Sequence, residues 1–204
     1  GNFSATVTLA SDFNRLEILA TDTAGNTQLV VREVRFDNVA PWINVQSPSN
    51  NALLRSPEVD VIGIVEPGAR LIVNDEVVSA PTGAFSRRVL LTEGANAIQF
   101  VGIDPAGNYG YRTVFVTVDT VRPTLNVVTP ANESLVNTQS VLLTGNVADD
   151  HGRTLFVNGQ EVAVNTDGTF SLSVELFEGT NFLTVEAVDG AGNRVVRILT
   201  VISD

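Results

Sequence analysis

One pentapeptide, met three times at nearly even intervals, limits what this chain can fold into. DTAGN at 22–26 returns as DPAGN at 104–108 and as DGAGN at 189–193, intervals of 82 and 85 residues. Neighbouring residues keep the register: GNFS at 1–4 recurs as GAFS at 83–86 and GTFS at 168–171, and Asn14, Asn96 and Asn181 occupy matching places. A period of this size marks an array of like modules. The front half of the unit occurs only twice, as DNVAPWINVQSPSN at 37–50 and DTVRPTLNVVTPAN at 119–132. The repeat therefore predicts three parts: residues 1–36 as the C-terminal half of a domain, then whole domains at 37–118 and 119–204. A shortened chain would produce such a half-domain, and so would a half-domain completed by a partner chain.

Within a unit the apolar residues alternate with a period of two in short runs bounded by turn residues, the pattern of half-buried strands. In the last unit this predicts strands near 124–129, 140–148, 153–158, 161–164, 169–176, 180–188 and 194–202. Seven short strands in about 80 residues point to an all-β sandwich. Asn158-Gly159 sits where a two-residue hairpin needs positive φ, and Asn74-Asp75 takes the same place less well. Gly83 and Gly168 precede Phe85 and Phe170, expected as core anchors. In the pentapeptide, Asp can accept the backbone N–H two residues on, Gly can go left-handed, and Asn can tie the start of the next strand. Asn96 and Asn181 are expected to bridge their loops.

The series G-x-F-S, L-x-x-G-x-N, D-x-A-G-N and D-x-x-x-P resembles bacterial immunoglobulin-like domains, particularly the group similar to domain B of glucodextranase. The resemblance covers essentially the whole chain. It implies tandem modules of extracellular or cell-surface proteins, serving as spacers, stalks or adhesin segments, with no shared catalytic residues to carry over.

Composition narrows the function. All 12 basic residues are Arg, so Lys Schiff-base chemistry and a Lys phosphate loop are excluded. A formal charge of −11 repels phosphate backbones and anionic lipid, which argues against nucleic acid as a partner. No apolar run reaches the 18–20 or so residues of a membrane helix, so no membrane insertion is expected. The absence of Cys removes disulfides and thiolate metal sites. His151 is the single histidine and there is no G-x-S-x-G elbow, so the chain is not expected to be an enzyme, and His151 is read as a solvated loop residue.

Two groups of residues are candidates for binding. The topology of such a sandwich brings the linker acid Asp119 to the loops that hold Asp149, Asp150 and Asp189, with Asn193 and Glu93 nearby. Hard oxygen ligands gathered at a linker suit Ca²⁺, the one cofactor the sequence suggests, and an ion there would stiffen the joint. Asp37, Glu66, Asp104 and Asn108 form the thinner counterpart at the earlier linker. Trp42 and Tyr109, with Tyr111, are the candidates for an aromatic platform that contacts a carbohydrate ligand, although a Trp at a linker is more often a wedge between neighbouring domains.

The sequence thus predicts a non-catalytic spacer or stalk, semi-rigid because the linkers FDNVAP and VDTVRP are short and closed by Pro. Its partners are the neighbouring domains of a longer chain. An adhesive or carbohydrate-binding module is the alternative, as is a filament subunit. The filament reading has a physical motive: strands expected at 3–9, 15–22 and 28–36 would carry Phe3, Ala5, Val7, Leu9, Leu16, Ile18 and Val31 with no opposing sheet. Each such side chain left in water forfeits about 1.5–3 kcal/mol, so self-association through residues 1–36 is expected.

Overall fold

The computed structural model describes residues 1–204 and contains strands but no helix. The chain divides into two compact units, Gly1–Ser49, Asp60–Arg88 and Ile98–Val114 forming one, and Asn50–Val59, Val89–Ala97 and Phe115–Asp204 the other.

At the N-terminus β1 (Asp12–Thr21) and β2 (Thr27–Phe36) pair as an antiparallel hairpin closed by the first pentapeptide. The third strand expected at 3–9 is absent, since residues 1–11 form no regular element. The middle domain shows why. Its strands are β3 (Ile43–Ser47), β4 (Ala52–Leu54), β5 (Glu58–Val65), β6 (Arg70–Val73), β7 (Glu76–Val78), β8 (Ala84–Leu90), β9 (Gly94–Ile103) and β10 (Tyr109–Val118). They form two sheets, β3-β5-β8 and β4-β10-β9-β6-β7. The counterpart of residues 3–9 is thus β8, which pairs with β5 in one sheet, whereas the counterparts of β1 and β2 lie in the other. With no equivalent of β5, residues 3–9 have no backbone ladder to join.

The last domain repeats the plan with β11 (Thr124–Thr129), β12 (Ser134–Val136), β13 (Ser140–Ala148), β14 (Arg153–Val157), β15 (Gln160–Val162), β16 (Thr169–Glu175), β17 (Gly179–Asp189) and β18 (Arg194–Ser203). Its sheets are β11-β13-β16 and β12-β18-β17-β14-β15. The strand unforeseen in each domain is the three-residue β4 or β12, which pairs in parallel with β10 or β18. Three residues are too few to display alternation, so eight strands stand where seven were expected.

Inward-facing residues of the two sheets make each core, with Leu143, Val147, Leu155, Val185 and Val201 fully buried in the last domain. Phe170 and Phe85 point inward as anticipated, and Phe85 lies against Phe100 with ring centroids 6.0 Å apart. Each Phe requires a glycine opposite. A Cβ on Gly145 would overlap the Asn126 carbonyl oxygen and the Phe170 ring, and one on Gly63 would overlap Asn44 and Phe85 in the same way. The two-residue hairpins take the positive φ foreseen: 48° and 79° at Asn158-Gly159, 44° and 67° at Asn74-Asp75.

Candidate functional site

The pentapeptide loops are one hydrogen-bonded device built three times. In the second, Asp104 Oδ1 accepts the Asn108 N–H at 2.9 Å, and Oδ2 accepts the Asn108 carboxamide at 2.8 Å. Gly107 meanwhile takes φ 92°. In the first, Asp22 accepts the same pair of bonds from Asn26 at 2.9 and 2.8 Å. Donors aimed at a carboxylate favour its charged form. The Asn108 and Asn26 carboxamides, helped by backbone N–H groups, hold Asp104 and Asp22 below the ordinary value of 3.8.

The second proton of the carboxamide has another use. Asn108 Nδ2 also donates to the Asp37 carbonyl at 3.1 Å. Asn193 Nδ2 donates to the carbonyls of Asp119 at 2.8 Å and Val121 at 3.1 Å, besides Asp189 Oδ2 at 2.8 Å. Each asparagine thereby fastens the linker that leads into its own domain. The linker itself turns tightly. Asp119 Oδ1 accepts the Val121 N–H at 3.1 Å, and Asp37 Oδ1 accepts the Val39 N–H at 3.0 Å.

Residues 119–121 have two further attachments. The Asp119 N–H donates to the Leu54 carbonyl at 2.8 Å. Glu93 accepts both the Thr120 N–H at 3.1 Å and the Thr120 hydroxyl at 2.9 Å. Glu93 is held in place by its neighbours: Asn96 bridges the Thr92 N–H and carbonyl at 3.0 and 2.7 Å. Asn181 and Asn14 do likewise in their loops, as the sequence suggested.

Beside this linker lies a cluster of Asp119, Asp149 and His151, one ligand-type atom of each lying within 4.8 Å of the others. Asp119 is buried, 3% exposed. Its Oδ2 lies 3.0 Å from His151 Nδ1, near enough for an ion pair, yet no N–H is aligned on that oxygen and it has no hydrogen-bond partner. The Asp149 carboxylate turns the loop by accepting the His151 N–H at 2.8 Å, and the His151 carbonyl accepts from the Gly190 N–H at 3.1 Å.

A second feature lies on the outer face of β10. Tyr109 and Tyr111 stack with centroids 6.3 Å apart and planes inclined by 15°, and they are 53% and 75% exposed. Trp42 is half exposed and belongs to neither ring pair.

A sequence profile of glucodextranase domain B matches residues 41–120 and again residues 123–204. The chain belongs to this family. Bacillopeptidase F of Bacillus subtilis (strain 168) is 26% identical over 183 residues, which make up 86% of this chain but 13% of that protein. Among solved structures, the fibronectin(III)-like modules of Clostridium thermocellum CbhA superpose with a TM-score of 0.54 at 15% identity, over 80% of this chain and 94% of theirs. The titin I-band fragment I67–I69 gives 0.50 at 9% identity, over 82% and 66%. At such identities these likenesses speak for the fold alone, a tandem of immunoglobulin-like or fibronectin-like β-modules.

In the second domain B module the fold redistributes the expected metal ligands. Asp119 and Asp149 come together. Asp189 has both carboxylate oxygens engaged by Asn193, and Asp150 lies outside the cluster. Glu93 is committed to Thr120. His151, read from sequence as a solvated loop residue, lies in a loop with its side chain 40% exposed and Nδ1 3.0 Å from Asp119 Oδ2. The signal was the length of its loop. Four residues separate Val65 from Arg70 in the first module, and six separate the equivalent Val147 from Thr154.

Proposed function

We propose that the chain is a non-catalytic spacer segment of a bacterial surface or secreted protein, and that its function is to hold neighbouring parts at a fixed distance. The observation that carries this reading is the fastening of residues 119–121, where Leu54, Glu93 and Asn193 all hold linker backbone. A linker whose N–H and C=O groups are bonded to the domains has little torsional freedom left. Membership of the domain B family supports an extracellular setting, and the absence of a nucleophile paired with a base supports the lack of catalysis. Small-angle scattering tests the stiffness. The wild-type chain should fit one conformer, and Glu93→Ala combined with Asn193→Ala should broaden the distance distribution. An already broad wild-type distribution sinks the idea.

The exposed Tyr109–Tyr111 pair favours a second reading, an adhesive or glycan-binding module. A glycan array probed with the wild type and with Tyr109→Ala/Tyr111→Ala separates the two, since a pure spacer binds nothing on it. The apolar exposure of Phe13, Leu19 and Leu29 on the first hairpin likewise favours self-association through residues 1–36. Light scattering that finds a strict monomer with a protease-resistant N-terminus would overturn that.

A further inference from the structure

We propose that Asp119, Asp149 and His151 form a binding site for a divalent transition-metal ion of the Zn²⁺ type. The acids alone would not justify this. The decisive atom is Asp119 Oδ2, which is buried, belongs to a carboxylate, and has no hydrogen bond. An ionised oxygen in that position is costly unless a cation or an aligned donor compensates it. The nearest ligand-type atom is His151 Nδ1 at 3.0 Å, poorly placed as a donor.

Two atoms that converge with no N–H aligned between them are placed as ligands of one ion are placed. Ligands about 2.1 Å from a metal lie about 3.0 Å apart at an octahedral angle and about 3.4 Å apart at a tetrahedral one, so a pair 3.0 Å apart is close enough to share one ion. The imidazole in the set chooses the ion: it selects against Ca²⁺, which prefers six to eight oxygens, and favours Zn²⁺, Co²⁺ or Ni²⁺. Asp149 supplies the second carboxylate. Because His151 is 40% exposed, the remaining positions face solvent and take water. Asp119 is itself a linker residue, so a bound ion joins the linker to the loop of residues 149–152. The proposal does not depend on the spacer reading, since a glycan-binding module could hold the same ion.

The chain suits a direct test, because His151 is its single imidazole and it has no thiol. The untagged full chain is stripped with chelator, then titrated with ZnCl₂ in a calorimeter and with CoCl₂ while visible absorbance is followed. One equivalent of Zn²⁺ should bind, Co²⁺ should develop a d–d band, and the melting temperature should rise by roughly 10 °C at a hundredfold excess over Kd. His151→Gln, which touches a partly exposed side chain, should abolish the band and the temperature shift without unfolding the protein. Asp149→Asn should weaken binding at least tenfold. No heat and no band would overturn the proposal and leave an Asp119–His151 ion pair in its place. A calcium response of equal size that survives His151→Gln would also overturn it.

Discussion

At residues 37–39 and again at 119–121 the chain makes the same turn. An Asp side chain accepts the N–H two residues on, and the Asn of the following pentapeptide donates to the Asp carbonyl. What surrounds the two turns differs. Asp37 is exposed, whereas Asp119 is buried beside Asp149 and His151. Where Glu93 hooks Thr120, the matching residue near the first linker is Ser11, which carries no carboxylate. A shared turn thus fixes how the chain enters a module, and one acidic residue, Glu93, adds two bonds at the second linker.

Substitutions can break that comparison, beginning with a control. If the difference lies at the linkers and not in the cores, Gly63→Ala and Gly145→Ala should each destabilise their module by about 3 kcal/mol in urea melts, because both Cβ atoms strike a carbonyl and a Phe ring. Unequal losses would place the difference in the cores instead. The linkers should respond unequally. Asn193→Ala strands two linker carbonyls and Asp189 Oδ2, for about 2 kcal/mol, and Asn108→Ala strands one carbonyl and Asp104 Oδ2, for about 1 kcal/mol. Equal melting shifts would show that the additional bond of the second linker contributes nothing.

Smaller effects sharpen the same contrast. Asp75 holds φ 67° where the other module has Gly159. Asp75→Gly should raise the stability of the first module by about 0.5–1 kcal/mol, and calorimetry showing no gain would mean the Asp side chain compensates its strain. The mildest effect is one of pH. Asp104 has its folded pKa lowered below the ordinary 3.8, chiefly by the Asn108 carboxamide. Its contribution is therefore complete above that value and is lost as pH falls through the lower folded value. Asp104→Asn should flatten the stability–pH curve below about pH 4 and leave its shape near neutrality unchanged.

Much of this architecture is legible in sequence because it is made by local chemistry. Asn158-Gly159 demands its hairpin, Gly107 its left-handed turn, and Phe85 and Phe170 their inward faces. Pairing over distance is not written locally. Nothing near residues 3–9 says that their ladder partner would be a counterpart of β5 in the other sheet, and nothing in three residues at 134–136 announces a parallel strand. The site divides in the same way. The Asp–Asn bonds inside each pentapeptide follow from spacing, whereas the bond from Asn193 to Asp119 spans 74 residues and the approach of His151 to Asp119 rests on how a longer loop folds back. The insertion itself was visible, and only its destination was not.

The fastening by Asn108 and Asn193 has a consequence for how such proteins can grow. Each carboxamide grips main-chain carbonyls, a group that every amino acid possesses. The clasp travels inside the downstream module and asks little of the sequence it seizes beyond a chain that turns at the right point. A gene segment encoding one module can then be copied, excised or spliced behind a foreign neighbour and still arrive with its own joint.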